Sequence, residues 1–214
     1  MKEIKFEHVL PEVFARQGDV SSEVWQQTVT FEKGGLYLVV AESGKGKSTF
    51  CSYILGYRHD YSGIVSFDRK DIRQLRVMQW VDMRQKHISH LFQELRLFPE
   101  LTAYENVEIK NRLTNWKSKS EIEQWFERLG IADKLHVPVG LLSFGQQQRV
   151  AMMRALVQPF DFLLADEPVS HLDDANGKVM GEIMMEEAAR QKAGVIVTSI
   201  GKHFPLDYQK TYHL

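Results

Sequence analysis

Long apolar runs are scarce in this 214-residue sequence. The most apolar stretches, 36–41 and 195–200, fall far short of the roughly 20 residues that span a bilayer, so any membrane role is expected to come through a partner. The N-terminus, MKEIKFEHVLPE, lacks the basic-then-apolar layout of a signal peptide. A single cysteine, Cys51, excludes an internal disulfide and fits a reducing compartment, by default the cytosol. Charge excess is also missing: 27 Lys and Arg face 28 Asp and Glu, so no polyanion partner is indicated and nucleic acid is not expected as a ligand. Internal repeats, heptad arrays and low-complexity linkers are absent as well. What is present, 43% hydrophobic residues, suffices for one good-sized core with a small satellite subdomain, and one compact unit is expected.

Residues 4–9 alternate apolar and polar side chains, and 27–31 read similarly, as half-buried strands do. After a turn at Gly34-Gly35, Leu36-Tyr37-Leu38-Val39-Val40 forms a continuous apolar run, suited to a strand buried on both faces of a parallel sheet. A helix is expected over 49–55 and an extended piece over 64–67. Polar, helix-favouring sequence runs from 101 to 128, where Ser120 and Glu123 have the spacing of a capping box; this stretch predicts a helical subdomain. Two further apolar runs, 160–165 and 195–198, flank a helical stretch at 175–191, an alternation that argues for a parallel α/β sheet. Trp25 and Tyr37 read as core, and Met152, Met153, Met180, Met184 and Met185 as helix packing. The sequence ends at Leu214 within an expected strand, 211–214, so no regulatory C-terminal domain is expected to follow.

The string AESGKGKST after the run at 36–40 places a strand, a glycine-rich turn and Lys47-Ser48 at a helix start. Backbone N–H groups then converge on phosphate oxygens at the positive end of the helix dipole. Glu42, Ser43, Gly44, Lys45, Gly46, Lys47, Ser48 and Thr49 are the candidate cradle, with Lys47 reaching the β- and γ-phosphates and Ser48 ligating Mg²⁺. The pattern G-x-x-x-x-G-K-[ST], Walker A, is met except at its first position, where Ala41 stands; its methyl is harmless if φ there is negative.

Further strings follow in order. Leu142-Ser143-Phe144-Gly145-Gln146, continued by Gln147-Gln148-Arg149-Val150-Ala151, resembles the LSGGQ signature of the ATP-binding cassette (ABC) family. Phe162-Leu163-Leu164-Ala165-Asp166-Glu167-Pro168 resembles Walker B with its catalytic glutamate. Ser170-His171-Leu172-Asp173 resembles the D-loop, and Leu91-Phe92-Gln93-Glu94 with the segment 97–107 resembles the Q-loop region. The resemblance covers essentially the whole chain, and its Q-loop neighbourhood is most similar to the lipoprotein-releasing, macrolide-export and cell-division branch.

That resemblance implies a P-loop NTPase fold of α/β class: a RecA-like parallel core, an N-terminal antiparallel β-subdomain and an inserted helical subdomain at about 94–158, all in one ABC domain over 1–214. It implies ATP and Mg²⁺ as cofactors. Asp166, after a buried strand, would hold Mg²⁺ through its waters, and Glu167 would orient or deprotonate the attacking water. Gln93 would touch Mg²⁺ or that water and sense a membrane permease subunit. Ser143, Gly145 and Gln146 would complete the ATP pocket of a second cassette, so that two copies close around nucleotide. Phe14 stands where an aromatic stacks on adenine, although core packing favours the same residue type. The expected protein is an ATPase subunit on the inner face of the cell membrane; a weakly hydrolysing ATP switch is the alternative, and a soluble cassette acting on DNA or ribosomes is disfavoured by the near-neutral charge. Phe144 replaces the central signature glycine. Where the family has its switch histidine, this chain has Ser199, with His203 four residues on, so slow hydrolysis is expected.

Overall fold

The computed structural model describes residues 1–15, 21–42, 44–169 and 174–214. In chain order the strands are β1 (Glu3–Pro11), β2 (Thr28–Glu32), β3 (Leu36–Val40), β4 (Tyr61–Phe67), β5 (Lys70–Asp71), β6 (Ile88–Leu91), β7 (Phe162–Asp166), β8 (Gly194–Ser199) and β9 (Lys210–His213). The helices are α1 (Lys47–Ile54), α2 (Val77–Asp82), α3 (Ala103–Asn111), α4 (Lys119–Arg128), α5 (Phe144–Leu156) and α6 (Asp174–Gln191). The strands make two sheets of opposite character. One is antiparallel, in the order β2-β1-β4-β5; the other has the order β6-β7-β8-β3-β9 and all its neighbours run parallel.

The parallel sheet buries both faces, as its apolar strands require. Along β3, Leu38 faces one core while Tyr37 and Val39 face the other; β7 sends Leu163 and Ala165 one way and Phe162 and Leu164 the other. On the first face lie α5 and α6, whose Met152, Met153, Met180 and Met184 are fully buried. The opposite core joins the two sheets around α1 and is rich in aromatics: Phe6 stacks on Phe50 at 5.1 Å, and Phe31 meets Tyr37 edge-on at 5.1 Å. Trp25 belongs to this cluster, as the sequence suggests. Where β1 passes β4, the register shifts after Glu7, and Gly63 sits opposite with φ of +84°. A Cβ there would lie 2.4 Å from the His8 carbonyl oxygen, so only glycine fits.

Helices α3, α4 and α5 all fall between β6 and β7. One detail differs from expectation: the capping box of α4 is Ser118 with Glu121, not Ser120 with Glu123. The same spacing occurs at both places, and the upstream one is selected because the Lys117 backbone N–H is already tied to Asn111 Oδ1, fixing where the chain enters the helix. Helix α4 then turns Ile122, Trp125 and Phe126 inward.

Candidate active site

The carboxyl ends of four parallel strands supply the site, because parallel register aligns them in one row. Val40 pairs with Ser199 and Asp166 with Thr198, while Leu91 pairs with Ala165 two residues before Gln93. The Ala41 N–H donates to the Ser199 carbonyl at 3.0 Å and the Glu167 N–H to the Thr198 carbonyl at 3.2 Å, so pairing continues past the strand ends. Open α/β sheets bind ligands at this edge.

Gly44 and Gly46 lie between β3 and α1. They have φ of +81° and +101°, and a Cβ on Gly46 would come within 3.0 Å of the Phe14 ring. Ala41 is buried and is not among the described residues with positive φ, so its methyl costs no backbone strain. Lys47 is 6% exposed; its ammonium donates to the carbonyls of Ala41 at 3.0 Å and Glu42 at 3.2 Å, and lies 3.7 Å from Glu167 Oε1. Ser48 is exposed at the first turn of α1, whereas the Thr49 hydroxyl accepts from Arg58. Glu42, Gly44 and Lys45 are also exposed. Ser43 lies outside the described residues, as does the segment 170–173 that resembles a D-loop.

Opposite the loop, Asp166 and Glu167 are 6% and 7% exposed. Thr198 donates its hydroxyl to Asp166 Oδ1. Burial pushes the Asp166 carboxyl above its usual range; Glu167 and Glu94 add to this, while the Thr198 hydrogen bond and Lys47 pull it back. Glu167 has φ of +48°, a left-handed conformation costing roughly 1 kcal/mol for a non-glycine residue. Gln93 donates its amide to Glu167 Oε2 at 3.2 Å, so the two carboxylate oxygens face Gln93 and Lys47 separately. The structure therefore assembles Lys47, Gln93, Asp166 and Glu167 around one point.

Two supports for this cluster were not singled out in the sequence. Gln148, in the first turns of α5, is 2% exposed and donates to the Pro168 carbonyl, steadying the chain just after Glu167. Arg154 on α5 donates to the Leu95 and Arg96 carbonyls, both at 2.7 Å, and so fixes two consecutive left-handed residues beyond Gln93. Both are long polar side chains on a helix, where sequence alone gives the default reading of a solvated face. His90 was also passed over. Burial, with the Lys110 and Arg96 charges, holds its pKa down at about 3.

Other expected residues lie apart from this cluster or are engaged locally. Ser143 caps α5: its hydroxyl accepts from the Gln146 N–H and its own N–H donates to Gln146 Oε1. Gly145 and Phe144 follow in the first turn, with Phe144 44% exposed. Phe14 is 8% exposed and packs beside Trp25, with ring centroids 6.4 Å apart, as well as against Gly46. Ser199, expected at the switch position, is engaged locally. It is fully buried, and its hydroxyl donates to the Lys202 carbonyl and accepts from the Gly201 N–H, both at 2.8 Å. Those two bonds build the turn rather than face the acids. His203 is instead exposed, lining a groove of about 420 Å³ with Val169, Gly177 and Phe204.

The donor chemistry suits a hard cation and polyphosphate. Ser48, Asp166 and Gln93 offer oxygens, the set Mg²⁺ prefers, and Gly44, with nothing within 4 Å of a Cβ built on it, leaves the loop open there ahead of α1.

Known proteins fit this geometry. A family model described as ABC transporter matches residues 25–170. An uncharacterized ABC transporter ATP-binding protein of Mycobacterium tuberculosis is 32% identical over 81% of this chain and 53% of its own length, so the chain spans about half of that relative. The lipoprotein-releasing system ATP-binding protein LolD of Leptospira interrogans is 32% identical over 87% of this chain and 80% of its own. The dimeric structure of MJ0796, described as a bacterial ABC transporter cassette, superposes with a TM-score of 0.77 at 25% identity, covering 92% of this chain and 88% of that one.

The raised pKa of Asp166 gives a stability prediction. The folded protein holds that proton more tightly than the unfolded chain, so the associated stability is present below the unfolded pKa and lost as pH rises through the folded one. Near neutral pH the carboxylate is a net cost. Asp166→Asn is expected to stabilise the nucleotide-free protein by about 1 kcal/mol at neutral pH, roughly 2–4 °C in Tm, with no gain below about pH 4. Thermal unfolding across pH checks both the size and the sign.

Proposed function

The chain belongs to the ABC transporter family, and from that premise we propose that it binds and hydrolyses ATP to power a membrane permease, working as a dimer of cassettes. The observation that carries this reading is the convergence of Lys47, Gln93, Asp166 and Glu167 at the strand ends beside the start of α1. Phosphates would lie on the backbone N–H groups of 44–48, and the Lys47 ammonium would exchange its two carbonyl partners for β- and γ-phosphate oxygens. Ser48, Asp166 and Gln93 would hold Mg²⁺, which supplies neutralisation of phosphate charge when bound with nucleotide. Glu167, its carboxylate already oriented by Gln93, would take the proton of the attacking water.

Support for dimerisation comes from the dimeric cassette cited above, of which a further dimeric structure is described as a post-hydrolysis state bound to ADP and Pi. Ser143, Gly145 and Gln146, at the N-terminus of the 13-residue helix α5, would present N–H donors to the γ-phosphate held by the other copy. No described helix is long and apolar enough to cross a membrane, so coupling to transport would pass to a permease partner at the inner face of the membrane. The stretch 94–158, carrying α3 to α5, would be the helical subdomain that moves with that partner. The macrolide export protein MacB of Sodalis glossinidius, 33% identical over 85% of this chain and 28% of its own length, is named an ATP-binding/permease protein, so in that relative both functions share one chain.

Turnover is proposed to be slow, because the Ser199 hydroxyl is closed into its own turn. Lys47→Ala is expected to abolish MgATP binding, since the loop then carries no ammonium for the β/γ charge. Calorimetry that finds unchanged affinity would remove the phosphate-loop assignment. A second expectation concerns rate: if the groove histidine serves as the switch, His203→Ala should lower steady-state phosphate release by about tenfold, equivalent to 1.4 kcal/mol on the barrier, while Ser199→His should change it little. The reverse pattern would assign the switch to position 199.

A further inference from the structure

Three donors of different chemistry meet behind the phosphate loop. Cys51 comes from α1, His90 from β6 and Asp166 from the end of β7, and their sulfur, imidazole nitrogen and carboxylate oxygen all lie within 4.8 Å of one another. Among the described residues this is the only such group of three or more His, Cys, Asp or Glu side chains. Cys51 is 2% exposed and Asp166 6%. Both ring nitrogens of His90 are shut off from solvent and have no hydrogen-bond partner, while the ring itself lies 4.0 Å from that of Phe92.

An imidazole buried in this way forfeits its donor and its acceptor together, a cost that an apolar ring in the same place would not carry. The neighbours on β6, Ile88 and Leu91, are ordinary core residues, Phe162 pairs across from Ile88, and the Phe92 ring already lies against His90. A polar ring is therefore not demanded by packing. What a nitrogen at position 90 does offer is a donor within 4.8 Å of a thiol and a carboxylate.

We propose that Cys51, His90 and Asp166 form a site for one divalent cation of borderline softness, of the Zn²⁺ class. A sulfur, a nitrogen and an oxygen are the donors such ions take, whereas Mg²⁺ prefers oxygen alone. Tetrahedral ligands about such an ion lie about 3.5 Å apart, given bonds of roughly 2.0–2.3 Å, so the three donor atoms, within 4.8 Å of one another, would have to draw in by roughly 1 Å. Thr198 uses one of the roughly four lone-pair sites of the Asp166 carboxylate and leaves others for the metal. On binding, the Cys51 thiol releases its proton to solvent; thiolate and Asp166 carboxylate then balance the two positive charges, and neutral His90 donates its lone pair. The fourth position remains for a solvent oxygen. An ion held here takes Asp166 away from the nucleotide-bearing side of the site.

Cobalt(II) is the probe, added to untagged, reduced, nucleotide-free protein. Cys51 is the sole cysteine, so thiolate-to-cobalt charge-transfer absorption has one possible origin. The expected result is a band that saturates at one equivalent, resists excess Mg²⁺ and is displaced by Zn²⁺. Cys51→Ser should abolish it, and His90→Phe should weaken cobalt binding by about tenfold or more. Absence of the band from the wild-type protein overturns the proposal whether or not the variants fold, and a band of undiminished affinity in folded His90→Phe overturns the three-donor site. Since the readout is optical and nucleotide-free, its failure would leave the ATPase reading untouched, and failure of ATP binding would leave this site standing.

Discussion

The register of the parallel sheet is the constraint on which the rest depends. Because side chains alternate along a strand, a slip of one residue in β7 or β8 would turn Asp166 or Thr198 to the opposite face. The register is held by two-sided burial: Leu163 and Ala165 enter one core and Leu164 the other, so a slip would exchange the two sets. Backbone pairing then runs beyond the strands, from Ala41 to Ser199 and from Glu167 to Thr198, and carries the phosphate loop, the acid pair and the 199–203 turn as one piece. Function here is a by-product of where four strands stop.

Holding that arrangement works against stability. Two buried acids sit side by side, the backbone of Glu167 is in the left-handed region, and Lys47 is the nearest compensating charge. Burial dominates the upward shift at Asp166, so the surrounding protein does not fully compensate the charge of that carboxylate. The surrounding framework absorbs these costs: the aromatic core around Phe6, Phe31 and Phe50 fixes α1 from beneath, and Gln148 and Arg154 of α5 secure the segments following Glu167 and Gln93.

Much of this was legible in the sequence because its signals are short and local. The apolar runs at 36–40, 160–165 and 195–198 supply β3, β7 and β8 of the parallel sheet, and the strings around Lys47, Gln93 and Asp166-Glu167 lie directly at strand ends, where position follows from the strand. Less legible was anything that depends on which way one side chain turns. Ser199 matches the switch position by alignment, yet a turn three residues long claims its hydroxyl. The cap of α4 is expected at Ser120, but the same spacing two residues upstream is the one used, because Asn111 from another helix ties the Lys117 N–H. Cys51 and His90 are 39 positions apart in sequence numbering and share no motif, so only the packing of α1 against the sheet brings them beside Asp166.

The central claim is that the acid Glu167 acts on nucleotide within a site completed by a second copy of the chain. Glu167→Gln keeps the shape of the side chain while removing the proposed base and one negative charge. Size-exclusion chromatography with light scattering, run with and without ATP and Mg²⁺, measures the consequence. A monomer is expected without nucleotide and a stable dimer with it. A variant that binds ATP yet remains monomeric at every protein concentration tested would contradict it.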